Sequence, residues 1–119
     1  MNIAVCVKQV VTRDWPLRVN ESAEWVRDYD ASFEMNEPDA YALEEALRLK
    51  EQHGGEVVVC VAGPPRVTQV IREALARGAD RAIHVQHEQL AFADANVVAS
   101  SLATAMLPEQ FDLVLTGLQ

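Results

Sequence analysis

The residues able to do chemistry in this chain sit where apolar runs end. Lys8 and Gln9 follow NIAVCV, Gly63 to Pro65 follow EVVVCVA, and Gly117, Leu118 and Gln119 follow DLVLT. A fourth position opens the stretch NEPDAYALEEALRLKEQHGG, where Asn36 is followed three residues later by Asp39 in the manner of a capping box, and Pro38 lies in the first turn, where its missing N–H costs nothing. If these places converge, they form a pocket of backbone N–H groups, two glycines allowing close approach and one cationic side chain. A helix start there, with its partial positive charge, suits an anion such as phosphate. The alternative is a set of ordinary connecting turns, which every α/β fold has, beside a helix that is merely well capped.

Other chemistries lack their parts. Neither GxGxxG nor GxxxxGK[ST] is present, which removes the usual dinucleotide and phosphate-loop patterns. His84 and His87 form an HxxH pair, but the first falls at a strand end and the second in a loop, so no helix face joins them; with His53 they read as solvated histidines and not as metal ligands. Ser100 and Ser101 lie inside a predicted helix and Cys6 and Cys60 inside predicted strands, and neither setting presents a nucleophile on a sharp exposed turn. Both cysteines occupy apolar runs without a CxxC, as buried free thiols do. Glu44 and Glu45 are helix neighbours that face different directions, so joint acid and base work is not expected of them. No catalytic set is expected.

The elements that must position the pocket can be read from periodicity. Asn2 to Val11 is a continuous apolar run rich in β-branched residues, as a strand covered on both faces requires, and Glu56 to Ala62 is a second. The polar, acidic segment between the first run and Asn36 contains LRV and EWV on either side of the turn-prone NESA, which predicts a small excursion hairpin. Trp15 and Trp25 lie in it, either packing the hairpin on the domain or standing at an interface or a planar cofactor. The helix from Asn36 sets Leu43, Ala46, Leu47 and Lys50 along one side, pairs Glu44 with Arg48 on another, and stops at Gly54 and Gly55. In VTQVIREALARG the apolar residues Val67, Val70, Ile71, Ala74 and Leu75 keep helical spacing up to Gly78. ADRAIHVQ is a third strand, Asp94 caps a helix through Val98, Leu102, Ala105 and Met106, and FDLVLTGLQ gives a fourth strand. Strands alternating with amphipathic helices predict an α/β fold: a mostly parallel twisted sheet with helices on both faces, plus the hairpin.

The chain has 119 residues, enough for one core, with 50% hydrophobic and 24% charged residues, which is ordinary for a folded soluble protein. Its formal net charge of -8 argues against nucleic acid, whose phosphates are held by clustered Lys and Arg. No run approaches the roughly 20 apolar residues of a membrane helix, and MNIAVCVKQV lacks a signal peptide's charged start, so a cytoplasmic location without membrane insertion is expected.

The motifs NIAVCVKQV, MNEPDAYALEEALRLKE, VAGPPRVTQVIREALARGADRAIHV and DLVLTGLQ, in this order, resemble the beta subunit of electron transfer flavoprotein. The likeness runs along the whole chain and covers about the first half of the family's usual length. Residues 1–119 are thus expected to be a single α/β nucleotide-binding domain, an N-terminal portion truncated at its C-terminal end. The resemblance implies an adenine-nucleotide-binding fold and an electron carrier, not an enzyme with its own substrate. It also implies a heterodimer with an alpha subunit and electrons arriving from flavoprotein dehydrogenases for a downstream acceptor. FAD would be shared with the alpha subunit, and this subunit would bury AMP or a second FAD. The family's nucleotide contacts fall on Cys6, on Asn36, Glu37, Pro38 and Asp39, on Ala62, and on Leu118 and Gln119. Two departures stand out: Glu37 separates the Asn from the Pro that commonly follows it directly, and Arg13 takes a place where an aromatic often meets the flavin, with Trp15 nearby. A rival reading is a stand-alone adenine-nucleotide-binding regulator resembling universal stress proteins, which would carry a glycine-rich phosphate loop after the last strand. A third, an enzyme of the ATP-pyrophosphatase group, would carry a serine and glycine loop after the first, where this chain has VKQVVT.

Overall fold

The computed structural model describes residues 1–11, 33–86 and 95–117. Along them run strands β1 (Asn2–Cys6), β2 (Gln9–Val11) and β3 (Phe33–Met35), helix α1 (Glu37–His53), β4 (Glu56–Gly63), α2 (Thr68–Arg77), β5 (Arg81–Gln86), α3 (Ala95–Met106) and β6 (Leu113–Thr116). Short 3-10 turns precede α2 and follow α3.

β1, β4, β5 and β6 make one parallel sheet in the order β5-β4-β1-β6. Strand periodicity sorts its side chains. Ile3 and Val5 of β1 and Val57, Val59 and Val61 of β4 meet Leu43 and Ala46 of α1 and Val70 and Ala74 of α2 in the main core. Ala4, Val58 and Cys60 point to the opposite face and pack under Leu102 and Met106 of α3. Residues 57 to 61 are wholly buried, so β4 is a central strand with both faces covered. Each such Val contributes roughly 1.5–3 kcal/mol by leaving water.

The sheet is closed at its amino-terminal edge by two aspartates acting alike. The Asp80 N–H donates to the Val57 carbonyl at 2.8 Å while its carboxylate accepts the Val57 N–H at 2.8 Å. The Asp112 N–H donates to the Asn2 carbonyl at 2.8 Å and its carboxylate accepts the Asn2 N–H at 2.7 Å. Each supplies both partners of a strand-start residue just before its own strand begins.

Three sequence expectations change. The run Asn2 to Val11 is two strands in different sheets: Lys8 bonds to Asp39 and Asn36 instead of to a neighbouring strand, and β2 then pairs antiparallel with β3, Gln9 opposite Met35. A small antiparallel pair thus exists at 9–11 and 33–35, whereas LRV, EWV, Trp15, Trp25 and Arg13 lie outside the described residues. Arg48 pairs with Glu45 at 3.0 Å, one helical turn of three residues, and not with Glu44. The Asn36 side chain makes no cap bond: the Asp39 N–H that a capping box would offer it goes to the Asn36 carbonyl at 3.0 Å.

Candidate functional site

The four parallel strands are numbered in sheet order third, second, first, fourth, so connections leave β1 in opposite directions on its two sides. α1 and α2 carry the chain outward across β4 and β5 on one face, and α3 returns it over the other to lay β6 beside β1. The order reverses between β1 and β6, and the crevice beyond the carboxyl ends of those strands is where open α/β sheets bind ligands.

A cleft of about 190 Å³ lies at that point. Of the residues singled out from sequence, Cys6, Lys8, Asn36, Asp39, Ala62 and Gly117 line it together. Val7, Leu102 and Thr116 also line it, and strand-end reasoning missed them. Leu102 was visible as part of the apolar spacing of α3, but only the strand order reveals that this helix reaches the cleft. Gln9 lies elsewhere, its amide donating to the Arg66 carbonyl at 3.1 Å and to Gln69 Oε1 at 3.0 Å. Gly63 ends β4, Pro64 and Pro65 lead into the 3-10 turn before α2, Glu37 is exposed, Pro38 is half-buried, and none of these lines the cleft. Leu118 and Gln119 lie outside the described residues, as do His87 and Asp94. His84 is a strand residue whose Nε2 is 3.2 Å from the Gly63 carbonyl, which can only accept, so Nε2 carries the proton there.

The cleft is organised by the first turn of α1. Asn36, with φ -55 and ψ 129, is the cap, and its carbonyl accepts the N–H groups of Asp39 at 3.0 Å and Ala40 at 3.1 Å. Its own N–H donates to the Lys8 carbonyl at 2.8 Å, fastening the helix start to the end of β1. The buried Asp39 carboxylate accepts the Lys8 N–H at 2.9 Å and the Gly117 N–H at 3.1 Å. Three chain segments thus converge on one side chain.

Burial, and then the charge of Asp39, push the Cys6 thiol above its ordinary range. Burial, with Cys6 next in effect, raises Cys60 to about 12. Both are free thiols, and Cys6 Sγ lies 4.0 Å from Met106 Sδ. A thiol kept protonated is a poor nucleophile, so Cys6 lines the cleft as a small, weakly polar contact. Its walls offer apolar contact from Ala62, Val7 and Leu102, with hydrogen-bonding groups at Asn36 and Thr116.

A parallel sheet with helices on both faces and a crevice at its switch point defines the class of doubly wound α/β proteins. The electron transfer flavoprotein domain matches residues 25–119, and the chain belongs to that family. It is 39% identical over 124 residues to "Protein FixA" of Azorhizobium caulinodans, which it matches along 100% of its own length and 44% of the relative's. It is 36% identical over 121 residues to "Electron transfer flavoprotein subunit beta" of Methylophilus methylotrophus, again over 100% of this chain and 46% of the relative. It is 36% identical over 121 residues to "Caffeyl-CoA reductase-Etf complex subunit CarD" of Acetobacterium woodii, with the same shares of 100% and 46%. The chain therefore spans less than half the length of these relatives. Among the described residues no helix is long and apolar enough to cross a membrane.

Proposed function

We propose that this chain is the nucleotide-binding part of a beta-type electron transfer flavoprotein subunit, an electron carrier with no substrate of its own. Residues 1–119 act in this reading as one α/β domain. The subunit binds AMP or a second FAD, forms a heterodimer with an alpha subunit that shares the redox FAD, and passes electrons from flavoprotein dehydrogenases to an acceptor in the cytoplasm. Family membership supports the carrier role. The observation that carries the nucleotide is the cleft between β1 and β6, which gathers Cys6, Asn36, Asp39 and Ala62 from three separate elements.

The fit is to part of a nucleotide. A volume of about 190 Å³ is below the roughly 300–1,000 Å³ of sites that enclose a whole small molecule. One planar group such as adenine can lie against Ala62 and Leu102 with its polar edge toward Asn36 or Thr116, the remainder extending outward. Bound flavin supplies the redox chemistry, and this chain's residues bind, orient and exclude water. Glu37 and Pro38 belong to the site in this reading only as the first turn that sets Asn36 and Asp39 in place, and Leu118 and Gln119 are proposed nucleotide contacts.

Co-expression of the full-length protein with an alpha subunit, followed by acid release and identification of bound nucleotides, tests the proposal. FAD together with AMP or further FAD is expected; a folded complex that releases neither flavin nor adenine nucleotide rules it out.

A further inference from the structure

We infer that Asp39 is the positioning residue of the cleft: its carboxylate bridges the ends of β1 and β6 and takes the place at the start of α1 that a ligand phosphate would otherwise occupy. The binding consequence rests on the nucleotide reading above, whereas the geometry does not. The β1–β6 ladder has its last pair at Cys6 and Thr116. Just beyond it the two strands stop pairing with each other, and Lys8 and Gly117 each donate to a different oxygen of the same carboxylate, at 2.9 Å and 3.1 Å. A side chain has replaced the ladder at the switch point, and the bridge it makes forms part of the cleft wall.

The same arrangement closes the helix end. Asp39 is only 5% exposed, and its own N–H is taken by Asn36. Gly117 lies so near this turn that a Cβ on it would come within 2.5 Å of the Asp39 nitrogen and of the Pro38 carbonyl carbon. No phosphate fits between them. The favourable interaction of a helix start with negative charge is therefore spent on an internal carboxylate. On this inference the start of α1 faces no bound anion.

Hydrogen exchange resolved to single amides tests the role in the protein without added nucleotide. Lys8 and Gly117 should exchange slowly although both lie beyond the ladder. Asp39→Ala should free both, by about tenfold or more, as expected for bonds to a charged acceptor. Asp39→Asn has one acceptor oxygen left and should protect only one of the two. AMP affinity should fall about tenfold or more in both variants, and in the wild type AMP should leave the two amides protected. Titrated inorganic phosphate should not perturb the amides of Glu37, Asp39 or Ala40. Fast exchange of Lys8 and Gly117 in the wild type overturns the inference even if neither variant folds. So do exchange rates that the variants leave unchanged, or saturable phosphate shifts at the start of α1. A wild type with slow amides but no affinity for AMP or FAD sinks the nucleotide reading and leaves the role of Asp39 standing.

Discussion

A Cβ at Gly117 would collide with Asp39 Oδ1 and stand 2.5 Å from both the Asp39 nitrogen and the Pro38 carbonyl carbon, and two of those three atoms are backbone that cannot swing aside. Gly117→Ala must therefore move β6 away from α1, which should cost about 1–3 kcal/mol of stability as overpacking does and should distort the cleft at the same time. Gly54 offers the control. It has φ +73 and nothing within 4 Å of a built Cβ, so Gly54→Ala is strained by its backbone alone, at about 1 kcal/mol or more, far from the cleft. Urea midpoints should fall for both variants while nucleotide affinity falls for Gly117→Ala only; equal affinities would show that the Gly117 contact is immaterial to the site. The two cysteines separate in the same way. With its thiol raised by burial and by Asp39, Cys6 should react slowly with iodoacetamide at neutral pH, and more slowly still with nucleotide in the cleft it lines. Cys60, fully buried and pushed to about 12, should remain unlabelled in the native protein. Peptide mass spectrometry after timed alkylation distinguishes them, and labelling of Cys6 at the same rate with and without nucleotide would contradict its place in the site.

The elements are joined by aspartates, and their pH dependence can be signed. Asp80 accepts from Lys50 Nζ of α1 at 2.7 Å and from the Val57 N–H at the start of β4, and those two bonds, in that order, hold its carboxyl below the ordinary value of 3.8 against a smaller opposing effect of burial. A group whose folded value is lowered stabilises the fold fully above its unfolded value, near 3.9, and loses that contribution as pH falls through the folded value. The stability gap between wild type and Asp80→Asn should thus be constant near neutrality and close progressively below about pH 4. Its Lys50 share should be less than about 1 kcal/mol, since both side chains are about one third exposed. Denaturant midpoints measured from pH 7 down to pH 2 check this; a gap that widens with acid contradicts the assignment. These clamps also mark the limit of what the sequence could tell. The body of α1 was legible because Leu43 and Ala46 repeat at helical spacing and Gly54 and Gly55 stop it, and β4 because a run of β-branched residues has few other uses. The carboxylates were not. Asp39 in the capping-box position could serve its own helix or another strand, and only the tertiary approach of Lys8, 31 residues away, and of Gly117, 78 residues away, decides for the strands.

For the molecule as a whole, the order β5-β4-β1-β6 divides labour between the two faces of the sheet. Periodicity identified the strands but not their order, because alternation within a strand says which residues share a face and nothing about which strand is next door. Without the order, Thr116 and Leu102 could not be assigned to the same crevice as Cys6, although each lay in a correctly expected element. The face under α1 and α2 holds the larger core, in which Leu43 is wholly buried. The face under α3 is thinner: three small buried residues, Ala4, Val58 and Cys60, lie beneath Leu102, which is half-buried and also forms a wall of the cleft. Stability and binding should therefore respond to different leucines. Leu43→Ala removes a fully enclosed side chain and should cost about 2–5 kcal/mol, with nucleotide affinity little changed in the fraction that remains folded. Leu102→Ala, at a site already open to solvent on one side, should lie at or below the bottom of that range yet weaken nucleotide binding more than Leu43→Ala does. Denaturant titrations paired with nucleotide titrations under conditions where both variants are folded give the two axes. If affinity tracks stability alone, with both variants on one line, the α3 face has no separate part in the site and the cleft at the switch point is only a consequence of packing.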